Sequence, residues 1–162
     1  MSKLKLSDWA HLAEIGASFV VVASLAYVGF EINQNTNAIH AATYQGYVEN
    51  LTQVDLAVVT DRSLDRIITT GESTPDELTS EEWSTFRRFS LARTGQLELA
   101  YFSYVSGTMS EVQWSGVQPL VQSIFCLPGY RRFWDENYQT VFSPLFIGFV
   151  QDKVLTSCRP SS

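Results

Sequence analysis

Residues 15–30 read IGASFVVVASLAYVGF, a run without a charged side chain that Glu14 closes on one side and Glu31 on the other. As an α-helix this run covers about 24 Å, short of the roughly 30 Å hydrocarbon core of a bilayer. Taken from Leu12 to Ile32 it covers about 31 Å, which places the two glutamates near the two interfaces. Trp9 lies just outside one end and Tyr27 and Phe30 near the other, where aromatic rings favour the headgroup level. The segment therefore predicts a single membrane-spanning helix. Two other structures would use the same residues: a buried central helix of a soluble bundle, and a cleaved signal peptide introduced by Lys3 and Lys5. Against the second, no A-x-A cleavage site follows and the pattern continues as helix.

Within the span, Ala13, Gly16, Ala17, Ala23 and Ser24 are small enough for another helix to pack closely in lipid. Lys3 and Lys5 are the only basic residues near it, since the next is Arg62. By the positive-inside rule this predicts a cytoplasmic N-terminus and an exported, periplasmic remainder.

The rest of the composition bounds the class. The chain has 162 residues, 45% hydrophobic and 13% aromatic, enough for an ordinary core. Only 17% are charged, against about 25% in typical soluble domains, so disorder is excluded. A net charge of −6 argues against nucleic acid as a partner. The span explains part of the charge deficit, but the remainder is also lightly charged and aromatic-rich. Some of its surface is therefore expected to be covered by lipid or a partner.

After Glu31 there is no proline until Pro75, and Tyr44, Tyr47, Leu51, Val54 and Val58 step by three and four. The span is expected to run on as a helix to about Val59, with NQNTN (33–37) as a weak point. Asp61 reads as the N-cap of a short helix ended by Gly71, and residues 71–82 as a loop. Thr79 with Glu82 forms a capping box for a helix reaching about Gly107, and Ser110 with Gln113 repeats the signal. Pro119 is expected to bend or break that next helix. Leu127-Pro128-Gly129 reads as a turn, Phe133, Trp134, Tyr138 and Val141 as an aromatic stripe, and Ser143-Pro144 as the start of a last helix to about Leu155. The expected fold is all-α, an N-terminal single transmembrane helix continuing into a small helical bundle. Its parts are an anchor (1–32), a helical extension (33–60), a bundle domain (61–156) and a flexible tail (157–162).

Four stretches carry a family likeness: AEIGASFVVVASLAYVGFEINQNTNAIHAATYQG (13–46), ELAYFSYVSG (98–107), LPGYRRFWDE (127–136) and FSPLF (142–146). Together they resemble a widespread group of uncharacterised bacterial single-span membrane proteins with a C-terminal helical domain. The resemblance implies an inner-membrane location and brings no activity, cofactor or catalytic residue with it. Members often carry arginines just after the span, where this chain has Asn33, Asn35 and Asn37. In those members the positive-inside rule would favour a cytoplasmic bundle.

The sequence holds few groups arranged for chemistry. His11 with Asp8 and Glu14 steps by three, a spacing that drifts around a helix and suits interfacial solvation better than a metal. His40 reads as a packed or surface histidine, and no H-E-x-x-H or Cys/His cluster occurs, so no metal is expected. Cys126 and Cys158 would form one disulfide if exported and would be free thiols otherwise. Arg87, Arg88, Arg131 and Arg132 suit an anionic lipid or an acidic partner, or else pair with nearby acids such as Glu81, Glu82, Glu98, Asp135 or Glu136. Glu98, between Leu97 and Leu99, reads as a buried acid needing Arg93 or a tyrosine as partner. The aromatic residues read as core rather than as a cofactor pocket, and no cofactor is expected.

These features favour a non-enzymatic, membrane-anchored protein acting through contacts with lipid, other integral-membrane subunits or itself. It would be an accessory or scaffolding subunit of a larger complex, or a homo-oligomer. Two alternatives stay open: a small-ligand sensor domain outside the cytoplasm, and an enzyme on a helical bundle using Glu98, His40 or Cys126.

Overall fold

A computed structural model describes residues 6–136 and 138–158. Lys3 and Lys5, on which the orientation argument turns, lie outside the described residues, as does the tail from Arg159. The described residues are all-helical, with no strand. The elements in order are α1 (Leu6–Thr60), α2 (Arg62–Ser73), α3 (Ser80–Val105), α4 (Glu111–Phe125), α5 (Pro128–Asp135) and α6 (Pro144–Phe149). A π-helical turn, Val150–Val154, and a 3-10 turn, Leu155–Ser157, carry α6 onward. The chain divides into two compact units, the first ending at Ile39 and the second beginning at His40.

The first unit is apolar helix. Hydroxyls in its apolar stretch bond within the helix: Ser18 donates to the Glu14 carbonyl at 2.8 Å and Ser24 to the Val20 carbonyl at 2.7 Å. The weak segment 33–37 stays helical, helped by an Asn37 amide donating to Asn33 at 2.9 Å and a Thr36 hydroxyl donating to the Ile32 carbonyl.

The second unit is a bundle built on local signals that the sequence carries. Asp61 accepts from the Ser63 and Leu64 N–H groups and starts α2. Complete capping boxes start α3 (Thr79 with Glu82) and α4 (Ser110 with Gln113). Ser143 caps α6, with Pro144 at its first position. The core between these helices is aromatic: Phe86, Phe125, Tyr130, Phe133 and Phe146 are fully buried. Trp134 meets Phe125 edge-on at 5.2 Å and stacks on Phe142 at 5.8 Å.

Five local expectations are corrected. Gly71 does not end α2, which runs to Ser73; it is buried, with the Phe86 ring occupying the space where a side chain would be. Leu127-Pro128-Gly129 is not a free turn but the cap and first residues of α5. Pro119 does not break α4, because it lies on the exposed face with Ser115, the residue whose carbonyl loses its partner, so water can take its place. Val141 points outward at the end of a short 3-10 turn, and the Tyr138 side chain lies outside the described residues. Ser157 and Cys158 do not belong to a flexible tail, since Ser157 is in a 3-10 turn and Cys158 is disulfide-bonded to Cys126.

Candidate functional site

The small residues Ala13, Gly16, Ala17, Ala23 and Ser24 all lie on exposed helix surface, and nothing approaches the place a side chain on Gly16 would fill. The same is true of the large apolar residues among them: Phe19 is 76% exposed and Leu25 67%. α1 is the one helix, among the described residues, long and apolar enough to cross a membrane, and none of its apolar window is buried. A core helix of a soluble bundle would be covered by its own protein, whereas no described residue of this chain covers this surface.

The arginines divide into two pairs. Arg132 is engaged within the bundle, 3.2 Å from both Asp76 and Glu136 and stacked 4.2 Å over the Trp83 ring. Arg87 lies 3.5 Å from Glu136. Both are thus paired within the bundle. Arg88 is exposed and Arg131 lines a small cleft with Trp134, Asp135 and Leu155; neither forms an ion pair among the described residues. The anionic-contact reading therefore narrows to these two.

Glu98 is half-buried, but its partner is neither Arg93 nor a tyrosine. Its carboxylate accepts the Ser143 backbone N–H at 2.7 Å, fixing the start of α6 against α3. This satisfies one of the donors a helix start leaves open and gives Glu98 a positioning role. A backbone amide far along the chain, rather than a charged or hydroxyl side chain, supplies the bond, and such a donor has no mark in the local sequence.

The polar group that sequence reasoning missed gathers around Arg93. The guanidinium lies 3.9 Å from Asp55 on α1 and 3.9 Å from Glu72 on α2, over the Phe89 ring at 5.8 Å. Ser90 and Thr94, on the same α3 face, are fully buried, and the Tyr130 hydroxyl reaches toward Ser90 from α5. Burial pushes the Tyr130 hydroxyl well above the ordinary tyrosine value, partly countered by Arg93, so it stays protonated. Burial likewise raises the Glu72 carboxyl, with Arg93 pulling the other way. Beside the cluster runs an open cleft of about 310 Å³, walled by Val58, Ile68 and Phe89 and edged by Asp55, Asp65 and Glu72. Only the 3.6 spacing of Ser90, Arg93, Thr94 and Leu97 hinted that a polar edge faces inward on α3.

Cys126 and Cys158 form a disulfide, their Cα atoms 5.3 Å apart. His40 places Nε2 2.9 Å from the Gly107 carbonyl, and its own carbonyl accepts from Gln113 at 3.1 Å. That spends the histidine on joining α1 to the α3–α4 corner. Among the described residues no group of three His, Cys, Asp or Glu is arranged to hold a metal. No protein-family model, curated protein or solved structure matches the chain.

Proposed function

We propose that the chain is a single-pass membrane-anchored protein whose helical bundle works by contact, as an accessory or scaffolding subunit of a membrane complex or as a homo-oligomer. One observation carries the reading: an apolar helix long enough to span a bilayer with none of its apolar window covered by its own protein. Lipid satisfies such a surface fully, and the intrahelical bonds of Ser18 and Ser24 suit a medium without water. The small residues along it allow a second span to pack closely.

The location follows as part of the same proposal: a bacterial inner membrane, N-terminus in the cytoplasm and bundle in the periplasm. The Lys3 and Lys5 bias supports this side, and so does the Cys126–Cys158 bond, because disulfides persist in oxidising compartments.

Carbonate washing of membranes, followed by mild detergent extraction and native electrophoresis, tests the reading. The protein is expected to resist carbonate and to migrate as an assembly larger than one chain. Release by carbonate alone would remove the anchor, and a strictly monomeric species would remove the contact role. Protease added to spheroplasts should digest the bundle; protection would reverse the orientation.

A further inference from the structure

The second unit carries an exposed apolar corner where α3 meets α4. Val112 is 82% exposed, Val105 50% and Phe102 38%. Between Leu99 and Val112 the only charged side chain is Glu111. The corner is a fixed feature rather than a loose loop. The Thr108 and Met109 N–H groups both donate to the Ser103 carbonyl, Gly107 takes a left-handed φ of 74°, and the Ser110–Gln113 capping box closes it. Its valines are therefore held outward on well-bonded backbone, where nothing among the described residues covers them.

The corner is fastened to α1 through His40, whose ring bonds the Gly107 carbonyl and whose carbonyl accepts from Gln113. His40 stands eight residues after Ile32, the end of the predicted span. Eight residues reach about 28 Å even fully extended, so chain length alone limits how far His40 can stand from whatever surface holds the span.

We propose that the α3–α4 corner rests on that lipid surface, with Val112, Val105 and Phe102 entering the boundary between headgroups and acyl chains. The proposal rests on the membrane-anchor reading above. Tethering removes most of the entropy cost of association, so three modest apolar side chains suffice where a free protein would need more. The chemistry selects neutral lipid. No lysine or arginine occurs between Leu99 and Val112, and Glu111 would be repelled by anionic headgroups. Docking is thus apolar, insensitive to salt and present in pure phosphatidylcholine.

The test uses the full chain, disulfide intact, in phosphatidylcholine vesicles containing shallow or deep doxyl-labelled lipid. An environment-sensitive fluorophore is attached in turn at Val112→Cys, Phe19→Cys in the span, and Glu77→Cys. The last lies beyond the opposite end of α3, about 39 Å away along a 26-residue helix. The expected result is at least about a twofold loss of emission at position 112 with shallow quencher, unchanged by salt, strong quenching at position 19 with deep quencher, and none at position 77. Quenching at 19 but not at 112 overturns the docking and leaves the anchor standing. Blue-shifted emission at 112 without quenching also overturns it, because a second copy then covers the corner. No quenching at either 19 or 112 means that the anchor reading itself has failed.

Discussion

Gly129 is a glycine because no side chain fits. A Cβ built there would collide with the Gly71 carbonyl of α2 and meet the tip of the Phe86 ring. α2 and α5 thus touch backbone to backbone, and Phe86 fills the space beside Gly71. Overpacking a core typically costs about 1–3 kcal/mol, and here the obstacle is a carbonyl that cannot rotate aside. Gly129→Ala is expected to destabilise the bundle by at least about 3 kcal/mol or to prevent its folding. Urea unfolding in mild detergent, followed by the emission of the buried Trp83, Trp114 and Trp134, measures this. Gly116→Ala is the control: it is also helical, but has open space around it and should hold or raise stability. Neither close contact was legible in the sequence. Read locally, Gly71 is a helix stop and Leu127-Pro128-Gly129 a turn, because only the partner helix reveals that a glycine is there for packing. Arg93 was hidden for the same reason, since Asp55 and Glu72 reach it from two other helices.

Elements were far more legible, because a helix start is written within four residues. The Thr79 capping box shows how much one such signal does. Glu82 accepts the Thr79 backbone N–H at 2.9 Å, returns its own N–H to the Thr79 hydroxyl, and also binds Arg66 from α2. The Thr79 amide first, and then Arg66, hold the Glu82 carboxyl below its ordinary value of 4.5. A carboxyl lowered in the folded state contributes stability above its unfolded value and loses it as pH falls through the lower folded value. Glu82→Gln is therefore expected to be less stable than the parent at neutral pH, and the difference should close as pH falls below the ordinary value of 4.5 and through the lower folded value. Urea unfolding of both proteins across that range checks it. A gap that stays constant would place the effect in packing rather than in the carboxylate. The legibility stops at bonds between elements: Ser143-Pro144 marks the start of α6 locally, but the Glu98 carboxylate that accepts the Ser143 N–H comes from another helix and has no local signature.

At the scale of the molecule, the low charge noted in the sequence has a distribution. Beyond the apolar helix, charged residues crowd into α2 and the first half of α3, whereas residues 112–130 contain none. Within that stretch α4 exposes Val112, Ser115, Gly116, Pro119 and Ser123, an uncharged outer face. The disulfide closes the same region, joining the end of α4 to Cys158 across a separation of 32 residues. Crosslinking a loop of this length stabilises by about 3–4 kcal/mol, chiefly by restricting the unfolded chain. The Cys126→Ser, Cys158→Ser double variant is expected to unfold at lower urea by that amount, with the parent matching it once reductant is added. The same pair reports where the bundle resides. In acid-quenched cells, a polymer-linked maleimide should leave the protein unshifted on a gel until it is reduced, and then add two labels. Two labels without reductant would place the thiols in a reducing compartment, which only a cytoplasmic bundle would meet. That outcome would reverse the orientation, yet leave the anchor proposal untouched, since no part of the apolar helix's exposure depends on which side the bundle lies.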